Sequence, residues 1–460
     1  MKGAHPSSDR SDCPMPAQSL QFRPNRFSNK ALPTKVATSI SLTLKLIAFL
    51  IFFPDELSFY ILDFRLTLIR AVLFLLTPML LIQFVKLLAS RKCHLVLSDV
   101  FVTLTGLWMF ISPALVVDIA YSLHHSAPNA IEFCGSYFAG RVLLSERGQA
   151  QQFIDFLCHL IGFVAVFGAL DAVTGTPLTH DFIRQLLGLP VLTAGGGVLE
   201  YRLGILRSMG PIIHPILFGV VCAAGLILAV GSPIRFKRLT IAVCAIGVFL
   251  SMSSAPMEGS VLGLGLLAYD RRLAHFRGRW MLLIGSVIIG LGVVFLFTSS
   301  PLAFLFGHLN LDSSSYWVRL LQWNNVGAVV LDSPWIGIAF QWPDIVAHMP
   351  FFVQESIDSL WLNLALIYGI PGSVLVGLSM LSAACYRTNR SPIGLTSEES
   401  RLATSLSILI VVIVLMGFTV HLWEGPWMLV GLLVGASAHF ADFASLRPSG
   451  VHRRSSITRH

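Results

Sequence analysis

Charge is scarce in this chain. Only 12% of its 460 residues are Asp, Glu, Lys or Arg, against about 25% in ordinary soluble proteins, and that shortage excludes a soluble globular protein. Cysteine gives nothing to build on either. The seven cysteines form no CxxC pair and no regular spacing, and most sit in apolar stretches, which excludes a disulfide framework or a thiolate metal site. Acids are outnumbered, 24 against 32 Lys and Arg. Almost all the bases fall in short connectors between apolar blocks, so the excess is no nucleic-acid signature. What the chain has in abundance is hydrophobic residues, at 55% with a mean hydropathy of +0.74.

A membrane-crossing helix needs about 20 mainly apolar residues. Twelve blocks approach that requirement, near 37–53, 68–89, 95–118, 128–145, 152–172, 213–231, 239–253, 257–270, 280–299, 359–384, 402–420 and 427–443. The fourth holds Glu132 and Arg141, and a Ser251-Met252-Ser253-Ser254-Ala255-Pro256 break joins the seventh to the eighth. The expected fold is therefore all-α, a polytopic membrane protein of about 12 transmembrane helices. Residues 1–36, polar and rich in Ser and Pro, read as a disordered cytoplasmic tail with no cleavable signal. Residues 444–460 read as a basic cytoplasmic tail.

Orientation follows from the basic residues. With the N-terminus inside, 23 of the 32 Lys and Arg lie on the cytoplasmic side and six outside, namely Arg65, Arg70, Arg184, Arg202, Arg207 and Arg319. Lys45, Lys86 and Arg141 fall within spans, where snorkelling to a surface is the default reading. Both termini are expected in the cytoplasm. Two outside loops, about 173–212 and 300–358, are longer than a helical bundle needs, and long loops usually carry function.

Four constellations in the outside segments carry candidate chemistry. The first runs from Tyr201 through Arg202 and Arg207 to His214-Pro215 and Gly219. A guanidinium fork matches phosphate oxygens, so paired arginines at a membrane face suit a diphosphate. They serve equally as headgroup anchors or as partners for Glu200, and His214 as a packed helix start. The second places Arg319 in an aromatic stretch, Ser315-Tyr316-Trp317-Val318-Arg319-Leu320-Leu321-Gln322-Trp323, ahead of Pro334, Gly337 and Phe340. An arginine there is an interfacial anchor or a ligand contact. The third is Gln354-Glu355-Ser356-Ile357-Asp358-Ser359, leading into Gly369-Ile370-Pro371-Gly372. Asp358 at the membrane boundary suits a proton acceptor, or helps Ser359 cap a helix. The fourth, Asp55 and Glu56 with Arg65 and Arg70, offers a base, a metal site or simply acids in a first helical turn.

In combination, an arginine-rich outer loop running into HP…G, an R-x₃-W segment with PxxGxxF, and an acid before G-x-x-G resemble the O-antigen ligase/polymerase superfamily. The chain is most similar there to bacterial exopolysaccharide polymerases of the succinoglycan type. The likeness spans most of the chain and is strongest over 198–375. Asp358 stands where the ligase pattern has histidine, a departure that favours a polymerase over a ligase.

The resemblance implies a GT-C-like, metal-independent, inverting glycosyltransferase of the inner membrane that needs no cofactor. Its donor would be a saccharide on polyprenyl diphosphate, its acceptor a lipid-linked repeat unit at the periplasmic face, and a polysaccharide export complex its possible partner. Arg207 and Arg319, with Arg202 as neighbour, would bind the diphosphate, and Asp358, Glu355 or His214 would handle the proton. The chain has no Asp-x-Asp and no nucleotide-binding glycine loop, in keeping with a lipid donor. An O-antigen-type ligase and a lipid-linked oligosaccharide flippase or transporter are the alternative expectations.

Overall fold

The computed structural model describes residues 39–61, 64–144, 146, 148–189, 199–298, 313–341, 357–385 and 395–445. These form fourteen helices and two short hairpins. In order they are α1 (Leu42–Leu50), β1 (Ser58–Ile61), β2 (Phe64–Thr67), α2 (Leu68–Ala89), α3 (Leu97–Val116), α4 (Ile119–Val142), α5 (Gln149–Thr174) and α6 (Leu178–Leu186). Next come β3 (Tyr201–Arg202), β4 (Ile205–Leu206), α7 (Pro215–Gly231), α8 (Lys237–Leu250), α9 (Ser254–Arg272), α10 (Arg279–Phe297), α11 (Ser313–Asp332), α12 (Leu360–Cys385), α13 (Ser397–Met416) and α14 (Glu424–Ser445). Six of them, α2, α3, α5, α10, α12 and α13, are long and apolar enough to cross a membrane. The chain is a multi-pass membrane protein.

Each of the twelve apolar blocks coincides with a helix, but three expectations need correcting. The first block holds a helix of nine residues, roughly 14 Å long, against a hydrocarbon core of about 30 Å. Its continuation at Pro54 turns instead into the β1–β2 hairpin. The two long loops are not wholly loop, for the first contains α6 and the second α11. Arg141 does not snorkel. It is 2% exposed and donates from Nε to Asp99 at 3.1 Å, from Nη1 to Asp442 at 2.5 Å and from Nη2 to the His94 carbonyl at 2.9 Å. Tyr137 donates to the same Asp99 at 2.6 Å. Two carboxylates from remote helices satisfy a cation that is costly to bury alone.

The core gathers where α4 packs along α14 and α3 along both α4 and α12. Close approach of α4 and α14 depends on glycine, since a Cβ on Gly435 would stand 2.1 Å from the Tyr137 carbonyl. α10 differs from every other candidate span, because none of its residues is buried. It is tied down at its start, where Arg279 pairs with Asp270 at 2.8 Å and Tyr269 donates to the Arg279 carbonyl at 2.6 Å.

α12 is broken at Gly369, whose φ is +74°. Pro371 has no N–H, and the amide of Ile370 turns outward to the Pro334 carbonyl at 2.7 Å. The Leu366 and Ile367 carbonyls of the preceding turn thereby lose helical partners, and both are satisfied from outside. Ile338 donates to Leu366 at 2.8 Å and Ala339 to Ile367 at 3.1 Å, and the Trp108 indole donates to the Tyr368 carbonyl at 2.8 Å. The Pro334–Phe340 segment is thus laid across the kink, with Gly337 and Gly369 at the crossing.

Candidate functional site

The arginine-bearing segment begins with a two-residue turn. Leu203 and Gly204 both have positive φ, +52° and +76°, the conformation that a tight β-hairpin demands. The hairpin pairs Tyr201 with Leu206 and Arg202 with Ile205, and the Arg207 amide closes it on the Glu200 carbonyl at 2.9 Å. Beyond it, Asp171 near the end of α5 accepts from Gly210 at 2.7 Å and Met209 at 3.3 Å. His180 on α6 holds the Ile212 carbonyl at 3.1 Å and Glu56 at 2.7 Å. Burial disfavours the charged form of each member of that pair. Their mutual hydrogen bond, their charge attraction and a backbone hydrogen bond at each together outweigh it, holding Glu56 below its ordinary value and His180 above.

The arginines are aimed by the break between α8 and α9. A helix that ends at Leu250 leaves its last carbonyls without helical partners, and two backbone oxygens just beyond it accept from guanidinium groups. Arg202 donates to the Met252 carbonyl at 2.8 Å. Arg207 donates from Nε to the Ser251 carbonyl at 3.1 Å and from Nη2 to Ser253 Oγ at 2.5 Å, while Nη1 pairs with Glu200. Arg207 is 3% exposed. Burial draws its guanidinium down to about 10, so it is a cation at neutral pH.

Arg319 reaches the same place from α11, itself 7% exposed. One turn further on, Gln322 Oε1 accepts from the Asp358 amide at 3.1 Å, tying the start of α12 to the helix that carries Arg319. Ser359, not Asp358, supplies the oxygen that caps α12, accepting from Leu362 at 3.3 Å. Asp358 is among the residues that line the cavity.

One cavity of about 280 Å³ results, lined by Arg202, Arg207, Arg319, His214, Asp358 and Glu200. Ser253, Ser254 and three apolar side chains complete its wall. Five of the six residues proposed from the sequence therefore meet in one place, and Glu355 lies outside the described residues. His214 caps α7, its Nδ1 accepting from the Ile216 amide at 3.2 Å. A nitrogen that accepts is unprotonated, so the proton of the neutral ring sits on Nε2, which faces Glu200 at 4.0 Å.

The sequence reading missed Ser253, Ser254 and Gln322. The first two were visible only as a break between spans, and Gln322 is one of three amide side chains on its helix, with Asn324 and Asn325. Asp55 and Glu56 do not line the cavity. Arg65 instead joins Glu424 at 3.3 Å and the Asp55 carbonyl at 2.8 Å, Arg70 pairs with Glu132, and Glu56 pairs with His180. Among the described residues no cluster of acids, histidines and cysteines fits a metal ion. Neither a protein-family model nor a curated protein sequence matches the chain.

Proposed function

We propose that the protein is a polysaccharide polymerase of the O-antigen ligase/polymerase type. In this reading it is a multi-pass protein of the inner membrane with both termini in the cytoplasm, has a GT-C-like arrangement, and works at the periplasmic face. It transfers a glycan from polyprenyl diphosphate to a lipid-linked repeat unit during exopolysaccharide synthesis. The observation that carries the proposal is the meeting of Arg202, Arg207, Arg319 and Asp358, from three separate stretches of chain, around one cavity.

The chemistry follows from those side chains. The acceptor hydroxyl oxygen attacks the anomeric carbon of the donor sugar, and the bond from that carbon to the diphosphate oxygen breaks with inversion. Negative charge grows on the departing diphosphate, where guanidinium groups already fixed by carbonyls stabilise it without reorganising. Asp358 takes the hydroxyl proton. His214, with Nδ1 engaged by its own helix and the proton on Nε2, is a hydrogen-bond donor to the site, which favours Asp358 over it as the acceptor.

Reconstitution with purified polyprenyl-diphosphate repeat units, without nucleotide sugars or ATP, tests this reading. Lengthening glycans are the expected result. Movement of unextended lipid across the bilayer would make the protein a flippase, and transfer only to a finished core acceptor would make it a ligase.

A further inference from the structure

Arg207 has an internal anion, and the way it is held differs from the way the other partners are held. Nε and Nη2 are bound to Ser251 and Ser253 of the α8–α9 break, whereas Nη1 is bound to Glu200. The guanidinium is 3% exposed and the Glu200 side chain 41%. Glu200 is anchored by its backbone, whose carbonyl takes the Arg207 amide at 2.9 Å. Its carboxylate can therefore swing away by side-chain rotation alone, with the hairpin intact and the cation left in place.

We infer that Glu200 is an exchangeable counter-ion that makes the cavity selective for diphosphates over the singly charged phosphodiester headgroups of the surrounding bilayer. This rests on the diphosphate reading above and names a specificity residue for that site. Three cations at a membrane edge attract any anionic lipid. An incoming anion must replace the carboxylate on Arg207, because a buried guanidinium without an anion is strongly disfavoured. A phosphodiester carries one negative charge, as Glu200 does, so that exchange brings no electrostatic gain. A diphosphate carries more charge and more acceptor oxygens, enough to engage Arg207 while also reaching Arg202 or Arg319. Selectivity thus arises from competition inside the site.

Binding of inorganic pyrophosphate to the full-length protein in nanodiscs provides the test, with discs of phosphatidylcholine alone or with added phosphatidylglycerol. Wild-type protein should bind pyrophosphate with similar affinity in both. Glu200→Gln should bind it about tenfold or more tightly in the neutral discs and lose that gain when phosphatidylglycerol is present. Glu200→Asp, which keeps the charge on a shorter stem, should fall between the two and provides the reading if Gln at this position disturbs folding. Unchanged or weaker pyrophosphate binding by both variants overturns the exchange. Binding that needs Arg207 yet ignores Glu200 and phosphatidylglycerol removes this inference alone. Absence of pyrophosphate binding in the wild type, indistinguishable from Arg207→Ala, sinks the diphosphate reading and the exchange with it.

Discussion

Gln322 accepts a hydrogen bond from the backbone amide of Asp358 at 3.1 Å, and that bond ties the helix carrying Arg319 to the residue proposed as proton acceptor. Gln322 is 2% exposed and does not line the cavity, so it is expected to act on the reaction by positioning Asp358. Gln322→Leu keeps the volume and removes the acceptor. It is expected to lower kcat for glycan extension by about ten- to hundredfold, the range that a small misplacement of a reacting group costs, with KM little changed. A rise in KM with kcat unchanged would show that Gln322 supports binding and not positioning.

Direct removal of the charged groups should be more severe. Arg207→Ala, Arg319→Ala and Asp358→Asn are each expected to abolish extension while the protein remains folded and inserted. Arg235→Ala should be active, because Arg235 sits away from the cavity with its backbone amide on Asp155. Normal polymerisation by Arg319→Ala would remove Arg319 from the site.

The crossing of Gly337 over Gly369 predicts a fold defect. A Cβ on Gly369 would come 2.2 Å from the Trp335 carbonyl, and one on Gly337 would come 2.5 Å from the Leu366 carbonyl. Both residues have positive φ, so alanine adds about 1–3 kcal/mol of backbone strain to a clash with rigid main chain. Melting in detergent should show both variants well below wild type, whereas Gly265→Ala, with open space around it, should match it.

Arg141 predicts non-additivity. Arg141→Met leaves Asp99 and Asp442 facing each other in the core, a loss of about 3–5 kcal/mol for one broken buried pair. Adding Asp442→Asn should recover part of that loss. If the double variant is simply the sum of its parts in chemical unfolding, Arg141 and Asp442 are not coupled.

The His180–Glu56 pair predicts a pH window. His180 is raised, so its contribution is complete below the ordinary 6.5 and disappears as pH climbs through its folded value. Glu56 is lowered, so its contribution is complete above the ordinary 4.5 and disappears as pH falls through its folded value. Stability from the pair is greatest between those two values. His180→Gln should flatten that part of the melting-temperature profile against pH, and an unaltered profile would remove the pair from the account.

Helices were legible because burial in lipid is written in composition: wherever apolar residues accumulate, a helix stands. Where a helix is polar, as α6 is with Thr179, His180, Asp181, Arg184 and Gln185, hydropathy gave no sign of it. Candidate site residues were legible because a charge near a bilayer is conspicuous. Their partners were not, since a serine at a helix break or a glutamine among leucines looks ordinary until the chain is folded. Arg141 failed for a related reason. Snorkelling is a local rule, and Asp442 lies at the far end of the chain.

Helix breaks within a membrane domain are usually weighed as defects that need compensation. At Ser251–Ser253 the compensation is itself the tool. Main-chain carbonyls and a hydroxyl do not titrate in the range where proteins live, so the two bonds that aim Arg207 from Ser251 and Ser253 are indifferent to acidity, whatever happens at Glu200.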